Sequence, residues 1–494
     1  MSRAGVLAAA GCLALGACAA GPDFKPPQPP TALSYAAAYD APLPPDQRVA
    51  LGAKIEGDWW AQFHSPALDQ LMRLALADNQ DLAAARSRLA QAREEVTAAR
   101  GALLPQASLG ATAGRQKYGA ALFGPLDITI PPFAYYSIGP SVSAPLDLFG
   151  GARRALEQQA AYADYQQDQM DAAYLSLTAN VAMQVLAAAA ARAEIEVVQG
   201  IINDDERNVA LVQTALDDGS ATRTQLLSAQ AQLATDRTLL PPLHQQLSAA
   251  RHALAVLVGR APSEWTPPDI GLEEFALPEQ IPASLPAELV HHRPDILAAE
   301  AQLHGASAAI GVATANLYPQ LTLSGAFSQQ ALTPGGLFSG AAAAWALAAN
   351  ITQPLFNGGR LSAERRAAID GYQGALSSYR QVVVRSFGEV ADRLQALAID
   401  ADQFSAQSAA TQAATAALQL ARRSYAVGNS GILDVLDAER STARADLGLA
   451  HAKAQRLIDT ALLFFALGDT PLQVDKSVAV TAQDTQGSRE RNSH

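Results

Sequence analysis

Beyond residue 18 the sequence holds no cysteine; its two are Cys12 and Cys18. The body of the 494-residue chain can therefore form neither an internal disulfide nor a thiolate metal site. Charged residues (17%) and aromatics (6%) are both modest for a soluble domain. The net charge of −12 argues against nucleic acid as a partner, because phosphate binding needs clustered Lys and Arg. No run of 18 apolar residues follows the N-terminal segment, so no spanning helix is expected. A membrane crossing would have to be built from strands in a closed barrel. Catalytic signals are missing too: the eight histidines are scattered, with no HExxH and no paired-ligand spacing on one helix. Adjacent His291 and His292 point different ways on a helix. With no Gly-rich phosphate loop, nucleophile elbow or hydrolytic carboxylate pair, the expectation is no enzyme, no cofactor and no metal.

What is present begins with an export signal, residues 1–17. Arg3 precedes "AGVLAAAGCLALGA" (4–17), an apolar stretch too short to span a bilayer. Leu15-Gly16-Ala17 before Cys18 resembles a bacterial lipobox, which makes Cys18 the candidate lipidation site and first mature residue. Cys12 has Ala9 at the matching place and would be removed. The alternative is an ordinary signal peptide cleaved after "AGA" or "GACA". The Gly-, Pro- and Lys-containing stretch that follows reads as a flexible tether. Ala19, in place of aspartate, fits sorting to the outer membrane.

The chain says most things twice. "LLPQASLGA" (103–111) answers to "LYPQLTLSGA" (317–326), and "APLDLFGGARRA" (144–155) to "QPLFNGGRLSA" (353–363). "LDDGSATRTQLLSAQ" (216–230) answers to "YAVGNSGILDVLDAE" (425–439), at an offset of about 209 residues. Tandem duplication follows. Each repeat opens with a helical stretch (66–103; 295–316) stopped near Pro105 or Pro319. Two strand-like segments come next, about 106–118 and 135–146, then about 320–330 and 342–353. Alternation is clearest in the second repeat, where Leu321, Leu323, Gly325 and Phe327 share one face, and Trp345, Leu347, Ala349 and Ile351 another. Nine or ten residues of period two is the span of a tilted transmembrane strand. The first repeat alternates loosely and Pro140 interrupts it; a soluble hairpin packed on helices is the competing reading.

After the glycine turns (Gly150, Gly151; Gly358, Gly359) come helical patterns over 152–217 and 360–427. About 65 residues at 1.5 Å each make about 100 Å, which a tube or coiled coil accommodates and a compact domain does not. Each ends near a glycine, Gly219 or Gly428, in the place of a left-handed cap. Return helices follow over 222–258, broken by Pro241-Pro242, and 431–467. The tail, 469–494, is polar and reads as disordered. Four strands cannot close a barrel, and an open edge cannot sit in lipid, so several chains would have to share one.

These motifs, with "CAAGPDFKPP", "DWWAQFHSPALDQLMRLALADNQDLAAARSRLAQAR" (58–93), "RPDILAAEAQL" (293–303) and "PPLHQQLSAARHALAVLVG", resemble the outer membrane factor family, the TolC/OprM-type channels, in its NodT-like lipoprotein branch. The resemblance covers nearly the whole mature chain. It implies an α+β membrane protein: a homotrimer with four strands per chain in a twelve-stranded outer membrane β-barrel, continuous with a long periplasmic α-helical barrel. Residues 18–65 and 261–294 would form the tether and equatorial segments, 66–260 and 295–468 the two repeats. External loops would lie near 118–134 and 330–341. The resemblance further implies a passive exit duct of a tripartite efflux system, opened by a periplasmic adaptor (membrane fusion protein) and an inner-membrane pump of RND type. The helix tips at Gly219, Ser220, Gly428 and Asn429 would dock the adaptor. Asp434 and Asp437 match the family's aspartates at the constriction, where three chains would gather six carboxylates. Equally, acids in a first helical turn complement the helix dipole. Tyr425 matches a tyrosine of the closed state, or is a packing residue. A basic residue found after the second tip glycine in some relatives is absent here, and Arg223 is the candidate substitute. A type I protein-secretion duct and a periplasmic coiled-coil scaffold are the alternatives.

Overall fold

The computed structural model describes residues 20–28, 34–35, 47–52, 57–118, 131–283 and 286–468. The signal, Cys18, the tail and most of the expected 118–134 loop lie outside them. In chain order the elements are β1 (Arg48–Leu51), α1 (Pro66–Asp78), α2 (Gln80–Gly101), β2 (Gln106–Gln116), β3 (Phe133–Leu146), α3 (Gly151–Asp217), α4 (Arg223–Arg237), α5 (Leu240–Leu257) and β4 (Gln280–Ala283). Then follow α6 (Pro286–Leu289), α7 (Pro294–Ala315), β5 (Gln320–Ala331), β6 (Ala343–Thr352), α8 (Arg360–Ala426) and α9 (Ile432–Leu467).

The chain divides into two units. The first takes in Arg88–Gln167 and Ala298–Arg380 with the described N-terminal residues up to Pro27. Its centre is an antiparallel sheet of order β2-β3-β5-β6, leaving β2 and β6 as edges. The second comprises Gln28–Ser87, Asp168–Leu297 and the chain from Gln381 onward. Its core gathers Trp59, Phe63, Leu68, Met72, Leu186, Leu289 and Phe464, with Trp59 stacked on Phe464 at 5.6 Å. A small parallel sheet joins β1 to β4. Nothing in the sequence announced it, because four residues are too few to show a period.

The helical stretch expected over 66–103 is two helices. Asn79 ends α1 through its N–H to Ala75 O and starts α2 by accepting from Leu82 N at 2.9 Å. Its amide also donates to Leu257 O at 2.9 Å, so the break is fixed by a packed neighbour. The first return helix likewise divides at Thr238-Leu239, just before the two prolines. By length and composition alone α7 could cross a membrane, as a buried core helix also could. Nearly half of it is buried, with Ile296, Leu303 and Ala308 at 0% exposure, and it serves as a packed wall helix.

Pro140 does not break β3, which runs 14 residues. The ladder to β2 is unbroken through Gly139 and Pro140, while the ladder to β5 skips those two residues. The missing N–H is thus turned to the side where no bond is made. Gly139 permits the arrangement, since a Cβ there would lie 2.0 Å from Phe327 O.

Candidate functional site

Register decides what the sheet offers. Pairing places Leu109 opposite Pro140, Ala107 opposite Val142, Val142 opposite Gly325, Leu323 opposite Ala349 and Phe327 opposite Trp345. Residues paired directly share a face. One face therefore carries Leu109, Ile138, Val142, Leu146, Leu323, Phe327, Trp345, Leu347 and Ile351, all exposed. The other carries Ser108, Ser141, Ser143, Ser324, Ser328 and Asn350, with Ser108 and Ser141 hydroxyls 2.9 Å apart. The loose alternation of the first repeat becomes regular once its partner strands supply the phase. A contiguous apolar face of this size, backed by a polar one, suits lipid outside and water inside.

The glycine turns lie where these strands pass into α3 and α8. Gly150, Gly358 and Gly359 adopt φ of +77°, +65° and +85°. Gly151 opens α3 against Ala315, whose Cβ would be 2.8 Å from an added one. Asp147 caps α3, accepting from Ala152 N and Arg153 N at 3.1 and 2.9 Å. Residues 20–24, expected as a free tether, are instead held. Ala20 N–H donates to Phe149 O, and buried Arg154 donates to Ala20 O, Asp23 and Glu157 at 3.2, 2.6 and 2.7 Å. Glu157 also meets His304 at 2.9 Å, and His304 stacks on Phe24 at 4.4 Å. A buried guanidinium needs acceptors on all sides, and the tether supplies two of them.

In the second unit the two helix tips are alike. Gly219 and Gly428 both have φ +76°. Ser220 N–H reaches Ala215 O and Asn429 N–H reaches Ser424 O, at 2.8 and 2.9 Å, the six-to-one bond of a left-handed cap. Ser220 Oγ adds a bond to the same carbonyl. Tyr425 gives its carbonyl to Gly428 N–H while its ring stays exposed.

Asp434 spends its carboxylate on its own helix, accepting from Gly431 N–H at 3.1 Å. Gln225, its counterpart in the first repeat, does the same for Thr222 N–H at 2.7 Å. Asp437 pairs with Arg440 at 3.3 Å. Among the described residues no hydrogen bond or ion pair joins any two of Asp434, Asp437, Tyr425 and Arg223.

Glu439 makes one of the contacts that join the two hairpins. Its carboxylate accepts from Arg422 of α8 at 2.8 Å and from Asn208 of α3. Arg422 also lies 3.6 Å from Asp204, which pairs with Arg207. Glu439 lies in the same "LDVLDAE" motif as Asp434 and Asp437, the two residues the resemblance points to. Hairpin arithmetic about Gly428 could have brought it near Arg422; nothing local announces Asn208.

Beside this joint is a cavity of about 360 Å³ lined by six carboxylates. Burial and then Asp236, Glu439 and Asp204 push the Asp205 carboxyl up to about 7. Burial raises Asp446 as well. Elsewhere in the unit, burial and Asp459 push Asp400 up to about 7, while Asp459 accepts from Arg393 and Gln455 at 3.1 and 2.5 Å. Two hairpins thus each carry a close carboxyl pair. The described residues contain no His, Cys, Asp and Glu grouping suited to a metal ion.

The chain's likeness to known proteins agrees with this architecture. Residues 71–260 and 285–469 each match the model of the outer membrane efflux protein family, one match per repeat. The pyoverdine export outer membrane protein OpmQ of Pseudomonas putida is 31% identical over 89% of this chain and 92% of its own length. Nodulation protein T of Rhizobium leguminosarum bv. viciae is 28% identical over 92% and 91%. Among solved structures the outer-membrane channel OprN superposes with a TM-score of 0.84 at 28% identity, over 91% of this chain and 99% of that one. The chain belongs to the outer membrane efflux protein family, as an outer membrane channel that extends into the periplasm.

Proposed function

We propose that this chain is the passive exit duct of a tripartite efflux system, lipidated at Cys18 and assembled as a homotrimer whose twelve strands close one barrel. The amphipathic four-stranded sheet with both edges open carries the reading. It can be buried in lipid only when further copies satisfy the backbone groups of β2 and β6. The driving energy belongs to a partner pump. A periplasmic adaptor engages the tips at Gly219–Ser220 and Gly428–Asn429, with an inner-membrane pump, of RND type, behind it. Docking spreads the hairpins near Asp434, Asp437, Tyr425 and Arg223. The pyoverdine export named for OpmQ favours a low-molecular-weight cargo over a secreted protein.

The test places a photo-reactive residue at Ser220 or Asn429 in cells and identifies captured proteins by mass spectrometry. An adaptor associated with a proton-driven pump is the expected capture. An ABC exporter behind the adaptor would move the reading to protein secretion, and absence of any adaptor would overturn docking at these tips.

A further inference from the structure

The duplication supplies an internal comparison for the two carboxyl pairs described above. From the starts of α3 and α8 to Gly259 and Gly468 the repeats run at a constant offset of 209 residues. Gly259 and Gly468 even share their backbone conformation, with φ of +71° and +69°. At that offset Asp205 and Asp236 stand where the second repeat has Ala414 and Ala445. Asp400 and Asp459 stand where the first repeat has Ala191 and Ala250. Each hairpin thus carries one acid pair, and its sister fills the same two places with alanine.

Both pairs bridge an outgoing helix and a returning one. Asp205 of α3 is within hydrogen-bond reach of Asp236 of α4, and Asp400 of α8 is within reach of Asp459 of α9. Asp400 and Asp459 are 7% and 5% exposed. One oxygen in each pair, Asp205 Oδ2 and Asp400 Oδ2, is buried with no donor among the described residues. A second ionised carboxylate is the worst neighbour for such an oxygen. A shared proton is the best, because O–H···O⁻ replaces repulsion by a charge-assisted hydrogen bond. Asp236 accepts from Gln232 at 2.7 Å, and Asp459 accepts from Arg393 at 3.1 Å and from Gln455. The proton therefore belongs on Asp205 and on Asp400, the partners without donors. Burial and the paired carboxylate push both of these up to about 7, in agreement with that placement.

We propose that each pair is a proton-operated clasp between the two helices of its hairpin. With the proton shared, the carboxyls draw the helices together; with both ionised, they repel and the helices are free to part. The clasps are staggered. Asp205 lies 14 residues before Gly219 and Asp400 28 residues before Gly428, which is about 21 Å and about 42 Å from the tips at 1.5 Å per residue. On the duct reading above, acid holds the hairpins shut against spreading. The clasp itself rests on the helices alone and does not depend on that reading.

The surrounding cations have other partners. Asp205 faces Glu196, Asp204 and Arg207 on α3, Asp236 on α4, and Glu439, Arg440 and Asp446 on α9. Arg207 pairs with Asp204, Arg440 with Asp437, and Arg422 of α8 with Glu439. Asp400 faces Asp459, Arg456 and His451, all on α9. Arg456 donates to Gln47, His451 meets Glu194 of α3 at 3.3 Å, and Arg393 of α8 bonds Asp459.

Hydrogen exchange of the full chain in detergent, at about pH 5.5 and about pH 8.5 and corrected for intrinsic exchange rates, tests the clasps. Protection over 198–212 and 229–243, and over 393–407 and 452–466, should fall roughly tenfold between the two conditions. Asp400→Asn gives Asp459 a permanent donor. Its second hairpin should keep the acid-side protection at both pH values, while the first hairpin still responds. Asp400→Ala with Asp459→Ala copies Ala191 and Ala250 and should remove the response as well. Asp205→Asn should fix the first hairpin alone. No pH response in the unaltered chain would overturn the clasps outright. A full response surviving in Asp400→Asn would assign it to His451 and Glu194 and overturn the second clasp. Loss of response in both hairpins from one substitution would overturn the reading of two separate clasps.

Discussion

Glu439 has a side chain only 12% exposed, yet it meets Arg422, whose side chain is 53% exposed, and Asn208. Glu439→Ala removes the shared acceptor and leaves the part-buried Asn208 amide without it, costing about 1–2 kcal/mol. Urea unfolding checks the cost, and hydrogen exchange over 205–225 and 418–440 should rise most near the joint. Asp205 and Asp400 give a pH signature. Their folded values near 7 exceed the ordinary carboxylate value of 3.8, so the folded state keeps protons the unfolded chain has released. Stability therefore falls as pH rises from about 4 to about 7 and levels off above. The groups facing Asp205 are Glu196, Asp204 and Arg207 on α3, Asp236 on α4, and Glu439, Arg440 and Asp446 on α9; Arg422 of α8 acts through Asp204. The variants Asp205→Asn and Asp400→Asn should each flatten the slope of the urea midpoint against pH; an unchanged slope would contradict shared protons at these pairs.

At the scale of elements, the helix tips rest on backbone conformation. Gly219 and Gly428 have open space where a Cβ would lie, so only the left-handed φ opposes a side chain. Gly428→Ala should cost about 1 kcal/mol, and Gly428→Asn less, because asparagine tolerates that region. Thermal unfolding would rank the three proteins. The tether is held differently, by one buried cation. Arg154→Ala strips Asp23 and Ala20 O of their donor, and the segment through Phe24 should become cleavable by limited proteolysis while the helices stay intact. The long helices, glycine caps and second-repeat strands were all legible in the sequence because periodicity and Gly/Pro chemistry are local. The division at Asn79 was not, because its amide is fixed by Leu257, far along the chain.

For the whole molecule, the two faces of the sheet make opposite demands. Leu347 lies on the apolar face and Ala348 on the polar one. Leu347→Arg near mid-membrane should cost about 2–4 kcal/mol and block assembly in lipid vesicles. Ala348→Arg should assemble normally and lower cation preference in planar-bilayer recordings. Equal tolerance at both sites would overturn the assignment of lipid and water sides.

By itself the sequence determined the duplication, the order and approximate bounds of the long helices, the four strands and the turns between them. Those features depend on residues that are neighbours along the chain. Tertiary structure decided the rest. Only pairing showed that Pro140 sits in a continuous strand and that the first repeat's strands share the second's apolar face. Only packing took Glu439 to Asn208, 231 positions away, and Arg154 to Asp23, 131 positions away. A side chain's partner across such distances is chosen by where the backbone returns, which no local pattern encodes.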